Sequence, residues 1–163
     1  MKTLQWLFTC AVLAIAGVVG APSAADQSAA GDVPKEAVKF TPSELKWKPS
    51  PRVPGLEVAD MIGDQTKPGP YLNRVKFPPN FKLEAHGHPD ERRYTILSGT
   101  WYMGWGKKFD ETKLIVLPAG SFYTEPAKIP HFVATKDEGA VIEVSGTGPS
   151  KQIWVDPAHA PKK

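Results

Sequence analysis

Residues 56–156 form a succession of short runs in which apolar and polar residues alternate, each closed by a turn signal. LEVADMI is followed by GDQTKPGP, YLNRVKF by PPN, FKLEAHGH by PDE, RRYTILS by Gly99, and TWYMGW by GKKFDETK. LIVLP, SFYTE, HFVATK, AVIEVSG and IWVD continue the pattern, separated by AG, PAKIP, DEG and TGPSKQ. Alternation puts residues i and i+2 on one face of a strand. Turn signals recurring every 8–12 residues or so, about one per strand, mark an all-β sandwich or barrel. No stretch keeps the 3.6-residue period of an amphipathic helix for a helix's length. KKFDETK has room for a single helical turn. The expected fold class is therefore all-β.

The segment before this region reads differently. Lys2 opens an apolar run over residues 4–19, and small residues follow in GAPSAADQ. That is the layout of a secretory signal peptide over residues 1–25, with the cut after Ala25 and Ala30 as the alternative. The run is short for a membrane-spanning helix. The expectation is a periplasmic or secreted protein with no membrane attachment after cleavage. Residues 26–55, rich in Pro, Ala, Ser and Lys, are expected to be a flexible N-terminal arm. One local element stands out there, TPSEL: Thr41 caps, Pro42 suits the first helical position, and Glu44 reaches back. Trp47 is expected to pin the arm to the domain. The barrel domain spans residues 56–156, and residues 157–163, with His159 and two terminal lysines, form a solvated tail.

Export leaves 138 of the 163 residues and removes Cys10, the one cysteine of the chain. The mature chain then has no disulfide and no thiol ligand, so a metal must be held by His, Asp or Glu. Its 19 Lys and Arg against 17 Asp and Glu leave a charge near balance. Nothing in that balance calls for nucleic acid or an anionic membrane as partner.

The chemistry gathers in AHGHPDERRYTILSG. His86 and His88 stand two apart in a strand pattern, so their imidazoles face the same way. His131 opens another run, and a closed barrel can return it to the pair. Three neutral imidazoles suit one divalent transition metal, whether Fe, Mn, Zn, Ni or Cu, and leave positions open for water or substrate.

These residues resemble the cupins, small jelly-roll barrels also called double-stranded β-helices. The first cupin motif is glycine, five residues, His-x-His, three or four residues, Glu, six residues, glycine. His86, His88 and Gly99 fill their slots, and Asn80 stands in place of the first glycine. The second motif is glycine, five residues, Pro-x-Gly, two residues, His, three residues, Asn. Gly120, Pro126 and His131 match it in register, with Lys128 at the inner glycine and Thr135 at the terminal asparagine. The resemblance covers residues 56–156. It implies a cupin jelly-roll barrel, a metal on His86, His88 and His131, and a small-molecule ligand. Dioxygenase-type oxidoreductases, isomerases and non-catalytic binders of small molecules, sugars or metals all occur on this fold, and a homodimer is an assembly it allows.

The departure is at the carboxylate. Counted back from Gly99, the acidic slot falls on Arg92, while Glu91 sits one residue early. Three placements stay open. Arg92 faces inward and clamps an anionic substrate. Alternatively a bulge at HPDE turns Glu91 inward as a fourth ligand. Or both lie on the rim, paired with each other or with Arg93. Tyr94, Trp101 and Phe132 are candidate walls of a ligand pocket. Glu125 and Glu143 lie in apolar stretches, where each is either a buried acid of raised pKa or a solvent-facing strand residue.

Overall fold

The computed structural model describes residues 35–161. The chain divides into two compact units, residues 1–38 and residues 39–163. In the first, residues 35–38 are described and are exposed. The expected signal segment lies outside the described residues. The second unit is built of strands β1 (Lys48–Pro49), β2 (Glu57–Ile62), β3 (Gly69–Phe77), β4 (Lys82–Gly87), β5 (Arg92–Trp105), β6 (Ile115–Pro118), β7 (Phe122–Glu125), β8 (His131–Ala134), β9 (Ala140–Gly148) and β10 (Ile153–Trp154). Single 3-10 turns occur at Pro42–Glu44, Glu111–Lys113 and Pro157–His159. Among the described residues no helix is long and apolar enough to cross a membrane.

The strands run in the order β1-β2-β3-β9-β5-β8-β4-β10, with β6 and β7 added to β5. All neighbours are antiparallel, and the sheet curls on itself as a jelly-roll barrel. Strand β5 makes the corner. Its first half pairs with β7 and β9, its second half with β6 and β8. The expected break at Gly99 is thus a bend within one strand, a usual way for a strand to change sheets. The register against β9 slips between Ile96 and Ser98, and Gly99 takes a φ of 72°. The extra residue switches which parity faces inward. Arg92, Tyr94 and Ile96 point into the barrel before the slip, and Trp101 and Met103 after it. Tyr94, Ile96, Trp101 and Met103 join Tyr71, Phe77, Val133, Ile142 and Val144 in one hydrophobic core.

The arm requires a correction. Residues 39–55 belong to the same compact unit as the barrel. β1 pairs with β2, and Val53 is buried in the core beside Leu56. The cause is local. Ser50 Oγ accepts hydrogen bonds from the backbone N–H groups of Arg52 and Val53 at 3.3 and 3.2 Å, bending the chain so that Val53 turns inward. TPSEL forms the expected turn, with Glu44 accepting from the Thr41 N–H at 2.7 Å. The Lys76 ammonium lies 4.6 Å over the Trp47 ring, which ties this segment to β3.

The two non-glycine residues that occupy cupin glycine slots keep the glycine conformation. Asn80 has a φ of 55° and Lys128 a φ of 64°, and they are the two positive-φ residues other than glycine among the described residues. Thr135, at the asparagine slot, accepts from the Phe81 N–H at 3.0 Å and donates to the Pro78 carbonyl at 2.6 Å. It fastens the β3–β4 turn to the end of β8.

Candidate metal centre

The three histidines come together. His86 and His131 are register partners across β4 and β8, and His88 follows two residues after His86. Their rings lie 4.4 to 5.2 Å apart between centroids, and one ligand atom from each lies within 4.8 Å of the others. All three are buried.

Backbone carbonyls orient the rings. Nδ1 of His86 lies 2.8 Å from the Glu84 carbonyl, Nδ1 of His88 3.0 Å from that of Lys151, and Nδ1 of His131 3.3 Å from that of Ile129. A carbonyl only accepts, so each Nδ1 carries the hydrogen. The three Nε2 atoms then carry lone pairs and converge, the arrangement that second-sphere hydrogen bonds give to metal-binding imidazoles. Burial, assisted by the Arg92 charge, holds all three pKa values low. His86 falls to about 4, His131 to about 3, and His88 well below its ordinary value. At neutral pH the rings are uncharged.

Glu125, at the end of β7, closes the group and is 1% exposed. Its Oε1 lies 3.1 Å from Nε2 of His131 and its Oε2 3.8 Å from Nε2 of His88. Oε2 is buried and has no hydrogen-bond partner. Burial pushes the Glu125 pKa up to about 7. Three unprotonated imidazole nitrogens beside an unpartnered carboxylate oxygen form a donor set that fits a divalent transition metal. An ion about 2.1 Å from each nitrogen requires separations of about 4.2 Å or less. The widest pair meets this by a side-chain adjustment of under about one ångström.

Arg92 faces inward, as the first placement has it. Its Nη1 donates to Nε2 of His88 at 3.1 Å and to the Tyr94 hydroxyl at 3.4 Å, and its Nη2 donates to Ser150 Oγ at 2.5 Å. Asp90 lies 3.6 Å from its Nε and accepts hydrogen bonds from the Tyr71 and Ser150 hydroxyls. Burial opposes the charge on Arg92, but Tyr94, Tyr71 and Asp90 outweigh it, and the guanidinium stays charged.

Glu91 is a correction. It is exposed, 2.9 Å from Arg93, and does not reach the histidines. Strand β5 begins at Arg92 without a bulge before it, so the adjacent Glu91 turns to the opposite side. Phe132 is a second correction. It is fully buried, but on the outer face of β8, against Phe109 at 5.0 Å and beneath Gly104. Its neighbours His131 and Val133 face the cavity, so alternation sends it the other way. Tyr94 and Trp101 line the cavity. Tyr94 stacks on Tyr123 at 4.7 Å, and Trp101 Nε1 donates to the Tyr123 hydroxyl at 2.9 Å. Glu143 is half-buried and paired with Arg74 at 3.0 Å, away from the site.

The cavity has a volume of about 90 Å³. Sequence reasoning missed several of its parts. Arg52 and Gln152 line it, and Asp90 and Ser150 hold Arg92 from behind. None of them lies in a periodic run, so no local signal marked them.

No protein-family model matches the sequence, and no curated protein matches it. Solved structures do. An RmlC-like cupin from Shewanella frigidimarina superposes with a TM-score of 0.54 at 13% identity, over 69% of this chain and 90% of that one. The polyketide cyclase RemF from Streptomyces resistomycificus gives 0.56 at 14% identity, over 73% and 87%. A chain from the structures of the DMSP lyases RdDddP and RnDddQII gives 0.51 at 16% identity, over 66% of this chain and 62% of its own length. Strand order, the corner at Gly99, the left-handed motif positions and these neighbours agree that this chain has the cupin fold.

Proposed function

We propose that this chain is a metal-binding cupin that acts on a small organic molecule inside its barrel. The observation that carries this reading is the set of three convergent, unprotonated Nε2 atoms, each ring fixed by a backbone carbonyl at its Nδ1. His86, His88 and His131 hold the ion, and Glu125 is the fourth donor. A divalent transition metal, whether Fe, Mn, Zn, Ni or Cu, supplies a Lewis acid or a redox centre there. Arg92 and Tyr94 face the same space and bind substrate, and Trp101 shields it from water. The activity is of dioxygenase or isomerase type. A cyclase and a lyase among proteins of like fold support small-molecule chemistry in such a barrel.

Export belongs to the same proposal. Residues 1–25 are removed as a signal peptide and the protein works in the periplasm or outside the cell. N-terminal sequencing of the mature protein tests this, and retention of Met1 overturns it.

Metal content of the purified protein tests the site. About one equivalent of transition metal per chain is expected, lost on dialysis against chelator and absent from His86→Ala and His131→Ala. A wild-type protein that takes up no metal overturns the reading. One observation favours a second reading, a cupin that binds its ligand without metal or catalysis. Arg92 Nη1 already donates to Nε2 of His88, where an ion needs the lone pair.

A further inference from the structure

We propose that the cavity selects a small organic oxyanion, a carboxylate on an apolar body, and that Arg52 and Arg92 together recognise it. This rests on the small-molecule reading above but not on the metal.

The charged side chains that line the cavity, beside the three neutral histidines, are Arg52, Arg92 and Glu125. Two are cations and one is an acid, and that acid is turned to His131 and His88, 3.1 and 3.8 Å from their Nε2 atoms. Asp90 is ion-paired with Arg92, 3.6 Å from its Nε, but does not line the cavity. It stands behind Arg92, its oxygens taken by the hydroxyls of Tyr71 and Ser150.

Both guanidiniums converge on Ser150. Arg52 donates to its carbonyl at 3.3 Å, and Arg92 to its hydroxyl. Arg52 is half-buried and forms no ion pair among the described residues. Burial and the neighbouring Arg92 both work against its charge. Asp90 offsets one of these two like charges, and the other, in a partly desolvated wall, stays costly until an anion joins it.

The two arginines have different parts. Both terminal nitrogens of Arg92 are engaged with His88, Tyr94 and Ser150, while its buried Nε has no acceptor. It contributes mainly fixed charge. Arg52 makes one side-chain hydrogen bond and keeps the rest of its planar fork for a ligand, a geometry that matches a carboxylate. Apolar side chains make up much of the rest of the lining, among them Leu56, Val58, Phe77, Leu83 and Ile142. A ligand that fills this space therefore joins an oxyanion to a hydrocarbon body.

The test uses chelator-treated protein, so that no ion contributes. Benzoate and butyrate are titrated by calorimetry against benzyl alcohol and butanol, with inorganic phosphate as a third arm. At least tenfold tighter binding of each acid than of its alcohol is expected. Arg52→Gln is expected to weaken the acids at least tenfold while leaving the alcohols unchanged, and Arg52→Lys to restore part of the loss. Equal binding of acid and alcohol, acid binding that ignores Arg52→Gln, or no acid binding at millimolar concentration overturns the proposal. Phosphate binding as tightly as benzoate overturns the apolar half of it. Acid binding by a chain that takes up no metal defeats the metal reading alone, and a metal-loaded chain that ignores both acids defeats this one alone.

Discussion

Arg92 and Glu125 are cross-strand partners in the β5–β7 pair, and both side chains turn into the barrel, 7% and 1% exposed. The slot where cupins carry an acid thus holds a base, and an acid stands on the facing strand, beside the same histidines. Glu125 lies against His131 and His88, whereas Arg92 donates into the lone pair of His88. The two residues therefore pull metal affinity in opposite directions. Glu125→Gln is expected to weaken zinc or manganese binding by about 10–100-fold, the usual scale for loss of a group that supports a metal site. Arg92→Gln is expected to tighten it, since a competing donor and a like charge are both removed. Glu91→Gln serves as the control and should match wild type. Competition against a chromophoric chelator measures all three, and weakened binding in Glu91→Gln alone would return the fourth ligand to that residue.

The same group makes the metal-free protein pH-sensitive in two opposed ways. The histidines have folded pKa values below the ordinary 6.5, near 4 for His86 and 3 for His131, because burial disfavours the imidazolium. The unfolded chain binds more protons below pH 6.5, so stability falls as the pH drops through that range. Glu125 is the reverse case. Burial raises its pKa from 4.5 to about 7, so the native state holds the extra proton and stability falls as the pH rises from 4.5 through 7. Glu125→Gln removes that second effect. In chelator, the variant should melt with wild type near pH 5 and above it at pH 8, by on the order of 3 kcal/mol. An equal gap at both pH values sinks the assignment.

The strands and the three histidines were legible because both rest on local patterns. Period-two alternation with Gly and Pro punctuation specifies strands, and a His-x-His with a distant third histidine specifies a shared face. What stayed hidden was decided elsewhere. Whether Glu91 or Arg92 turns inward depends on a bulge, and HPDE reads the same with or without one. Phe132 was misplaced because this barrel is covered on its outside too, by Phe109, so burial alone does not mean facing the cavity. Arg52 meets Ser150 across 98 residues, and no window of sequence contains both. The inward turn of Val53 depends on a serine hydroxyl in a stretch that otherwise has the composition of a linker.

Two backbone positions should respond oppositely to substitution. At Gly99 the φ of 72° is unfavourable for a side chain, and an added Cβ would stand 1.9 Å from the Gly139 carbonyl oxygen. Gly99→Ala must shift the corner of β5, and a melting temperature lower by more than about 5 °C is expected for a unit of this size. Lys128 already bears the left-handed conformation, with a φ of 64°. Lys128→Gly relieves that strain at some entropic cost and should be neutral or stabilising, by up to about 1 kcal/mol. Thermal melts of the two variants decide, and a strongly destabilised Lys128→Gly would mean that its side chain matters more than its backbone.

The segment before β2 should behave as part of the barrel from Lys39 onward and not as an appendage. Val53 and Leu56 fill the core, and each fully buried aliphatic side chain of this size contributes roughly 1.5–3 kcal/mol. A chain starting at residue 39 retains both, together with β1 and Arg52, and should melt within about 2 °C of full length, since stability changes below 0.5 kcal/mol shift a domain of this size by that much or less. A chain starting at residue 57 loses all of them and opens the cavity wall at Leu56. It should melt far lower or fail to fold. Val53→Ala isolates one contact. It should cost on the order of 2 kcal/mol in denaturant unfolding, through lost transfer energy and the cavity left behind. A value near zero for Val53→Ala, with an unaltered melt for the chain starting at residue 57, would return this segment to the mobile arm that its composition describes.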